Sequence, residues 1–279
     1  MKQGSGQKLA EGKTKIIWAN PSSKTEVLIE SKDDITAGDG ARRDLIVSKG
    51  ALSTTVTCNV FRLLGSKNVP NHFLHRVGST TFAAQRVQMI PIEIVTRRIA
   101  TGSYLKRNPE IPEGTRFNNL VIEFFLKDDA NHDPMIFWDQ DKSEYQLFDP
   151  RQSLSVGPTR VLPELFDSPP IFPADFDEMG FLAGTCFVAI EEVWENQGVT
   201  LVDLKIECGL GCQPPYSNHI IVADVIDNDS WRIWPQGDKA QMKDKQVYRY
   251  LGDITPEALV AIRDNYRWVA DATEKFLPV

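Results

Sequence analysis

The chain has 279 residues, 42% hydrophobic and 25% charged, with 18 Gly and 17 Pro, which suits one large globular domain or two intimate ones. A net charge of −7 argues against a general nucleic-acid binder, so any anion site must be a local gathering of Lys and Arg. No apolar run approaches a membrane span, residues 1–7 lack a signal-peptide core, and Cys58, Cys186, Cys208 and Cys212 form no CxxC pair, so the expectation is a reduced, cytoplasmic protein with no membrane partner.

Glu11-Gly-Lys-Thr-Lys15 is a glycine turn whose Lys13 and Lys15 point the same way if the segment is extended. It lacks the upstream glycine of a Walker A loop, and serves either phosphate binding or a plain surface turn. Residues 31–43 combine Asp39, Gly40 and Arg42 with small residues, as in a loop that wraps a charged ligand or simply lies on the surface. Ser48 is expected to cap a helix with Leu52, Val56, Val60, Leu63 and Leu64 on its inner face.

Strands are expected over 73–77, 81–87 and 92–101. The break at Met89-Ile90-Pro91 is either a connector whose backbone meets an adenine edge, with Glu93 near ribose hydroxyls, or a β-turn. Arg97 and Arg98 then run into Thr101-Gly102-Ser103, placing guanidinium, hydroxyl and backbone N–H groups where a phosphate monoester could be held, or else forming a solvated basic edge. Residues 121–134 predict a buried strand ending in Lys127, Asp128, Asp129 and Asp133, with His132 read as a hydrogen-bonding residue rather than a metal ligand. Residues 135–176 carry so many Asp, Pro and aromatics that a long draped loop without chemistry is expected. A helix follows over 178–197, with Phe181, Leu182, Thr185, Val188, Ala189 and Val193 inward.

From Thr200 the pattern alternates as in a half-buried strand, with Leu201, Asp203, Lys205 and Glu207 on one side. Residues 220–226 are almost continuously apolar, as in a central strand, and only Asp224 interrupts them. If these strands pair, Asp203, Lys205, Glu207 and Asp224 share one face. Two acids beside a lysine suit Mg²⁺ with nucleotide phosphates, or a structural ion pair. Arg232 lies just beyond, residues 243–249 read as a polar helix, and Thr255-Pro256-Glu257 opens a last helix packed through Leu259, Ile262, Tyr266, Val269 and Phe276. The whole predicts an α+β protein of two interleaved lobes around a cleft.

EGKTK at 11–15, SKDDITAGDGAR at 31–42, MIPIEIVTRRIATGS at 89–103, FFLKDDANHDP at 124–134, LVDLKIECG at 201–209 and VADVIDNDSWRIW at 222–234 together resemble the SAICAR synthetases of purine biosynthesis. RRIATGS, KDDAN and DNDSWR look especially like the animal form, which is fused to an AIR carboxylase domain. The resemblance implies an ATP-grasp-like fold, similar also to the kinase-type nucleotide cleft, with a nucleotide-binding lobe over 1–90 and a second lobe over 91–279 carrying metal and substrate sites. It implies ATP and Mg²⁺ as cofactors, CAIR and L-aspartate as substrates joined through an acyl phosphate, a homo-oligomer, and a carboxylase domain or partner. Carried over by position, Lys13 and Lys15 hold phosphates, Met89 and Glu93 meet adenine and ribose, and Glu207 and Asp224 hold Mg²⁺. Arg97, Ser103 and Arg232 bind the CAIR phosphate, while Asp203, Lys205 and Lys127 orient the carboxylate and the γ-phosphate. Asp39, Gly40 and Arg42, with Lys245 opposite, close over aspartate. Cys208, residues 135–176 and residues 209–218 depart from the family pattern. The competing readings are another ATP-grasp-like carboxylate–amine ligase, a small-molecule kinase, or a nucleotide-binding scaffold without turnover.

Overall fold

The computed structural model describes residues 6–38, 40–166 and 169–277. Lys8–Glu11 (β1), Lys15–Ala19 (β2) and Glu26–Ser31 (β3) form an antiparallel meander, and Asp34–Ala37 (β4) with Arg42–Leu45 (β5) a separate hairpin. After the helix Lys49–Ser66 (α1), Phe73–Arg76 (β6) and Thr81–Gln85 (β7) return to complete a five-stranded sheet in the order β1-β2-β3-β7-β6. Val56, Val60, Leu63 and Leu64 of α1 are buried, as their spacing requires. Ser48 occupies the N-cap position in the left-handed region (φ 72°), and its hydroxyl caps nothing. The Asp33 carboxylate takes over, accepting from Ser48 N at 3.2 Å and Gly50 N at 2.9 Å.

Val87–Ile99 (β8) is one strand. The expected break at Met89–Pro91 is absent: β8 pairs Glu93 with Glu207 and Met89 with Gly209, and bulges around Pro91, which has no N–H for the ladder. Apart from the β4–β5 hairpin, strands up to residue 85 build the small sheet and those from residue 87 the large one, with the 90/91 boundary inside β8. After the short helix Ser103–Arg107 (α2) come Arg116–Leu126 (β9), Met135–Asp139 (β10), Glu144–Phe148 (β11) and Arg160–Leu162 (β12). Residues 135–176 are therefore not a draped loop. Ile136 and Leu147 face each other across β10 and β11 and are both buried, but the alternation is too short to stand out among aromatics.

The helix Pro173–Glu195 (α3), the strands Val199–Gly211 (β13), Ile220–Ala223 (β14) and Trp231–Pro235 (β15), and the helices Gln246–Tyr250 (α4) and Pro256–Thr273 (α5) complete the chain. The large sheet runs β12-β11-β10-β9-β8-β13-β14, with β15 also on β13. β13 is buried on both faces rather than half-buried: α3 packs on one, and on the other Asp203 and Glu207 are covered by ion pairs with Arg97, Arg232 and Lys127. β14 is an edge strand, not a central one, and residues 70–72 cover it through Val222 N to Pro70 O and His72 N to Val222 O, both 3.0 Å. On α3 the inner face is Met179, Leu182, Cys186, Phe187, Ile190 and Trp194, whereas Phe181 (74% exposed) and Val188 (53%) point outward. An apolar residue on every side of this helix blurs its phase in sequence.

Ile35 within β4 and Ile46 just after β5 pack on Tyr248, Ile262 and Tyr266, tying that hairpin to the C-terminal helices. Thr255 caps α5 by accepting from Ala258 N at 3.2 Å. The stretch before and into α4 is buried rather than solvated, including Asp244, Lys245, Gln246 and Tyr248. All four cysteines are free, and among the described residues no helix is long and apolar enough to cross a membrane.

Candidate active site

The sheets and the hairpin enclose a cleft of about 1100 Å³. The β1–β2 turn, closed by Gly12 N to Lys15 O at 2.9 Å, carries Lys13 and Lys15 into it. Lys15 meets the carboxylate of Asp224, which directly follows β14. Pairing of Glu207 with Ala223 sets Glu207 beside Asp224. Lys127, just beyond β9, bonds both Glu207 oxygens at 2.8 Å, and Lys205 donates to Glu93 at 2.5 Å. Lysines and carboxylates therefore alternate across the floor of the cleft.

Burial pushes the Glu207 carboxyl up, and the charge of Asp224 adds to this against Lys15, Lys127 and Lys205. For Asp224 burial also pushes up, but Lys15, Lys127 and Lys205 together outweigh it and the net shift is downward. Burial alone would lower Lys127 and Lys205; Glu207 and Glu93 respectively reverse that, so both ammonium groups stay charged. Two adjacent buried carboxylates offer hard oxygen donors suited to Mg²⁺. Among the described residues no group of three or more His, Cys, Asp or Glu could hold a metal unaided. Glu207 and Asp224 fit an ion that takes its remaining ligands from phosphate and water.

A recess of about 300 Å³ adjoins the cleft and shares Glu93, Ser103, Lys205 and Arg232 with it. Asp203 accepts from Arg97 Nη1 at 3.1 Å and from Arg232, and Glu123 accepts from Arg97 Nε and Arg107 Nη2, both at 2.5 Å. This chain of three arginines and two acids fixes Arg97 and Arg232 in place and leaves one net positive charge under the recess. Gly102 (φ 62°) has no Cβ for a packing reason: one built there lies 2.6 Å from Arg232 Nη2.

Gly40 and Lys245 also line the cleft, and Lys245 donates to Asp229 at 3.0 Å. Two expectations fall elsewhere. Met89 is 39% exposed and outside the cleft lining. Arg42 also stays out: its guanidinium bonds Leu251 O at 2.8 Å and Tyr248 O, and lies over the Tyr248 ring, because α4 packs on β5. Asp39 lies outside the described residues. Arg98 points away from its neighbour Arg97 and makes two 2.7 Å bonds to Glu191 on α3, as alternation along a strand dictates.

Sequence reasoning missed several contributors. Asp229 lines the cleft and accepts from Lys245, Lys49 and the Tyr266 hydroxyl. A lysine opening a helix, as Lys49 does, gives no sign of being buried. Glu123 was legible: one acid inside the apolar run 121–126 demands a cation.

An α+β architecture of antiparallel sheets, flanking a cleft in which lysines and arginines surround two buried acids, is that of an ATP-grasp-like enzyme handling anionic substrates. The SAICAR synthetase family model matches residues 8–259, and the chain belongs to that family. It is 45% identical over 273 residues to the phosphoribosylaminoimidazole-succinocarboxamide synthase of Roseiflexus sp. (strain RS-1), covering 98% of each. With the human bifunctional phosphoribosylaminoimidazole carboxylase/phosphoribosylaminoimidazole succinocarboxamide synthetase it shares 43% identity over 275 residues, spanning 98% of this chain and 59% of that protein. Among solved structures, the Ehrlichia chaffeensis synthase superposes with TM-score 0.76 at 27% identity, covering 98% of this chain and 100% of that one. A SAICAR synthetase in complex with ADP superposes with TM-score 0.71 at 26% identity, covering 92% and 96%.

Proposed function

We propose that this enzyme condenses CAIR with L-aspartate at the expense of ATP, giving SAICAR, ADP and phosphate, as a cytoplasmic ligase of purine biosynthesis. The observation that carries the reading is the joining of a lysine- and carboxylate-lined cleft to an arginine-lined recess, which matches a triphosphate beside a ribonucleotide monophosphate. A kinase would need only the first of these with a hydroxyl acceptor.

In this reading an oxygen of the CAIR carboxylate attacks the γ-phosphorus, and the bond to the β,γ-bridging oxygen breaks, its electron pair leaving with ADP. The aspartate amine then attacks the acyl carbon; the nitrogen loses a proton and phosphate departs with the C–O pair. Lys13 and Lys15 hold the phosphates, with Lys15 nearest the transferring group, and Glu93 meets the ribose. Lys127, Lys205 and Asp203 orient the carboxylate against the γ-phosphate, and Arg97, Ser103 and Arg232 grip the CAIR phosphate. Lys245 and the loop around Gly40 receive aspartate. Glu207 and Asp224 would hold Mg²⁺, which would supply positive charge to the triphosphate. An AIR carboxylase domain or partner supplies CAIR.

The test is ADP release with CAIR and aspartate supplied together and separately. Release requires both; release with CAIR plus a hydroxyl acceptor, or with aspartate alone, would overturn the reading.

A further inference from the structure

Asp224 lies in the left-handed region, at φ 64°, where a residue with a side chain needs outside support. This conformation turns its carboxylate towards Lys15 and its carbonyl towards His72. His72 is 2% exposed, and its Nε2 lies 2.9 Å from the Asp224 carbonyl oxygen. A carbonyl can only accept, so Nε2 carries the hydrogen. The ring sits between Phe61 of α1 and Phe82 of β7, with centroids 5.3 Å and 6.1 Å away. Its backbone is anchored on both sides, by His72 N to Val222 O at 3.0 Å and Gln85 N to His72 O at 2.7 Å. Burial, opposed by Asp224, holds the imidazole at about 4, so it remains neutral.

We propose that His72 is a positioning residue for nucleotide-bound metal. By holding the Asp224 carbonyl it fixes the backbone turn that presents the Asp224 carboxylate next to Glu207, and it joins that acid, on the edge of the large sheet, to the start of β6 in the small sheet. His72 touches neither metal nor substrate; it acts through Asp224. The inference rests on the metal-holding role proposed for Asp224.

The test is calorimetric titration of ADP into the full chain, with and without Mg²⁺, reading how far Mg²⁺ tightens binding. His72→Phe fills the space but donates nothing, and reduces that tightening about tenfold. His72→Gln places an amide N–H near the position of Nε2 and restores most of it. If His72→Phe does not fold, His72→Asn, one methylene too short, shows the loss instead. A residue that merely supports the fold would weaken binding equally with and without Mg²⁺, and that result, or indistinguishable Gln and Asn variants, overturns the inference. Asp224→Asn separates the two levels. If Mg²⁺ still tightens ADP binding to that variant, the metal-site reading itself fails; if it does not, while His72→Phe matches wild type, only the role of His72 fails.

Discussion

Lys15 and Asp224 stand 209 residues apart and form an ion pair across the cleft, one from the small sheet and one from the edge of the large sheet. Each compensates the other's charge in a partly buried place. In the proposed reading, Lys15→Ala removes the cation nearest the transferring phosphoryl group. Turnover falls by about 10²–10³-fold, while stability drops by no more than about 2 kcal/mol. Steady-state kinetics beside a thermal melt checks both, and near-normal turnover would show that the cleft is assigned wrongly.

Gly102 and Arg232 touch, and the contact is closer than any side chain allows. Gly102→Ala drives a methyl into the guanidinium and strains a backbone at φ 62°, ψ −133°, a region disfavoured for any residue with a Cβ, at a cost of about 1–3 kcal/mol. Arg232 then leaves its bond to Asp203, and KM for CAIR rises about tenfold while KM for ATP stays near that of wild type. An equal rise in both constants would refute this division between recess and cleft.

Arg97 and Arg98 are neighbours in sequence with opposite duties. Arg98 and Glu191 are both largely buried, so Arg98→Ala leaves the carboxylate with only the longer, half-exposed contact to Arg116 at 3.4 Å and destabilises the fold by about 2 kcal/mol with little change in KM for CAIR. Arg97→Lys keeps the charge but cannot reach Glu123 and Asp203 together, and weakens CAIR binding. Denaturation curves and CAIR titrations on the two variants separate the effects; loss of CAIR binding in Arg98→Ala would contradict the placement.

Asp244 is 1% exposed and accepts from Ile233 N at 3.0 Å and Gln246 N at 2.8 Å. Burial pushes its carboxyl up to about 6, against the pull of those two N–H groups. Because the folded value lies above the ordinary 3.8, the folded state binds the proton more tightly, and this group's contribution to stability rises as pH falls from 6 towards 3.8. The gain is about 3 kcal/mol. Asp244→Asn has no such proton. Melting curves from about pH 7 to about pH 4 therefore move in favour of the wild type relative to the variant; parallel curves would refute the shift.

Local chemistry made much of this protein legible without coordinates. The inner stripe of α1, the cap and proline of α5, and the run of Lys15, Arg97, Lys127, Asp203, Lys205, Glu207, Asp224 and Arg232 all follow from period, residue type and resemblance. Residues 135–162 did not, because strands of three to five residues give too little alternation to read and owe their pairing to the sheet they extend. The phase of α3 was hidden for the opposite reason, since apolar residues stand on every side of it.

Partnership was decided only by the tertiary structure. Arg42 and Arg97 are equally plausible anion ligands as letters, yet packing of α4 on β5 engages the first with carbonyl groups while the second lines the recess. Lys49 and Asp229 look solvated in sequence and are joined in the interior. A sequence states which charges exist and which face of an element they share. Which of them meet depends on sheet order and register between segments hundreds of residues apart, and electrostatic energy in a cleft is set by those distances.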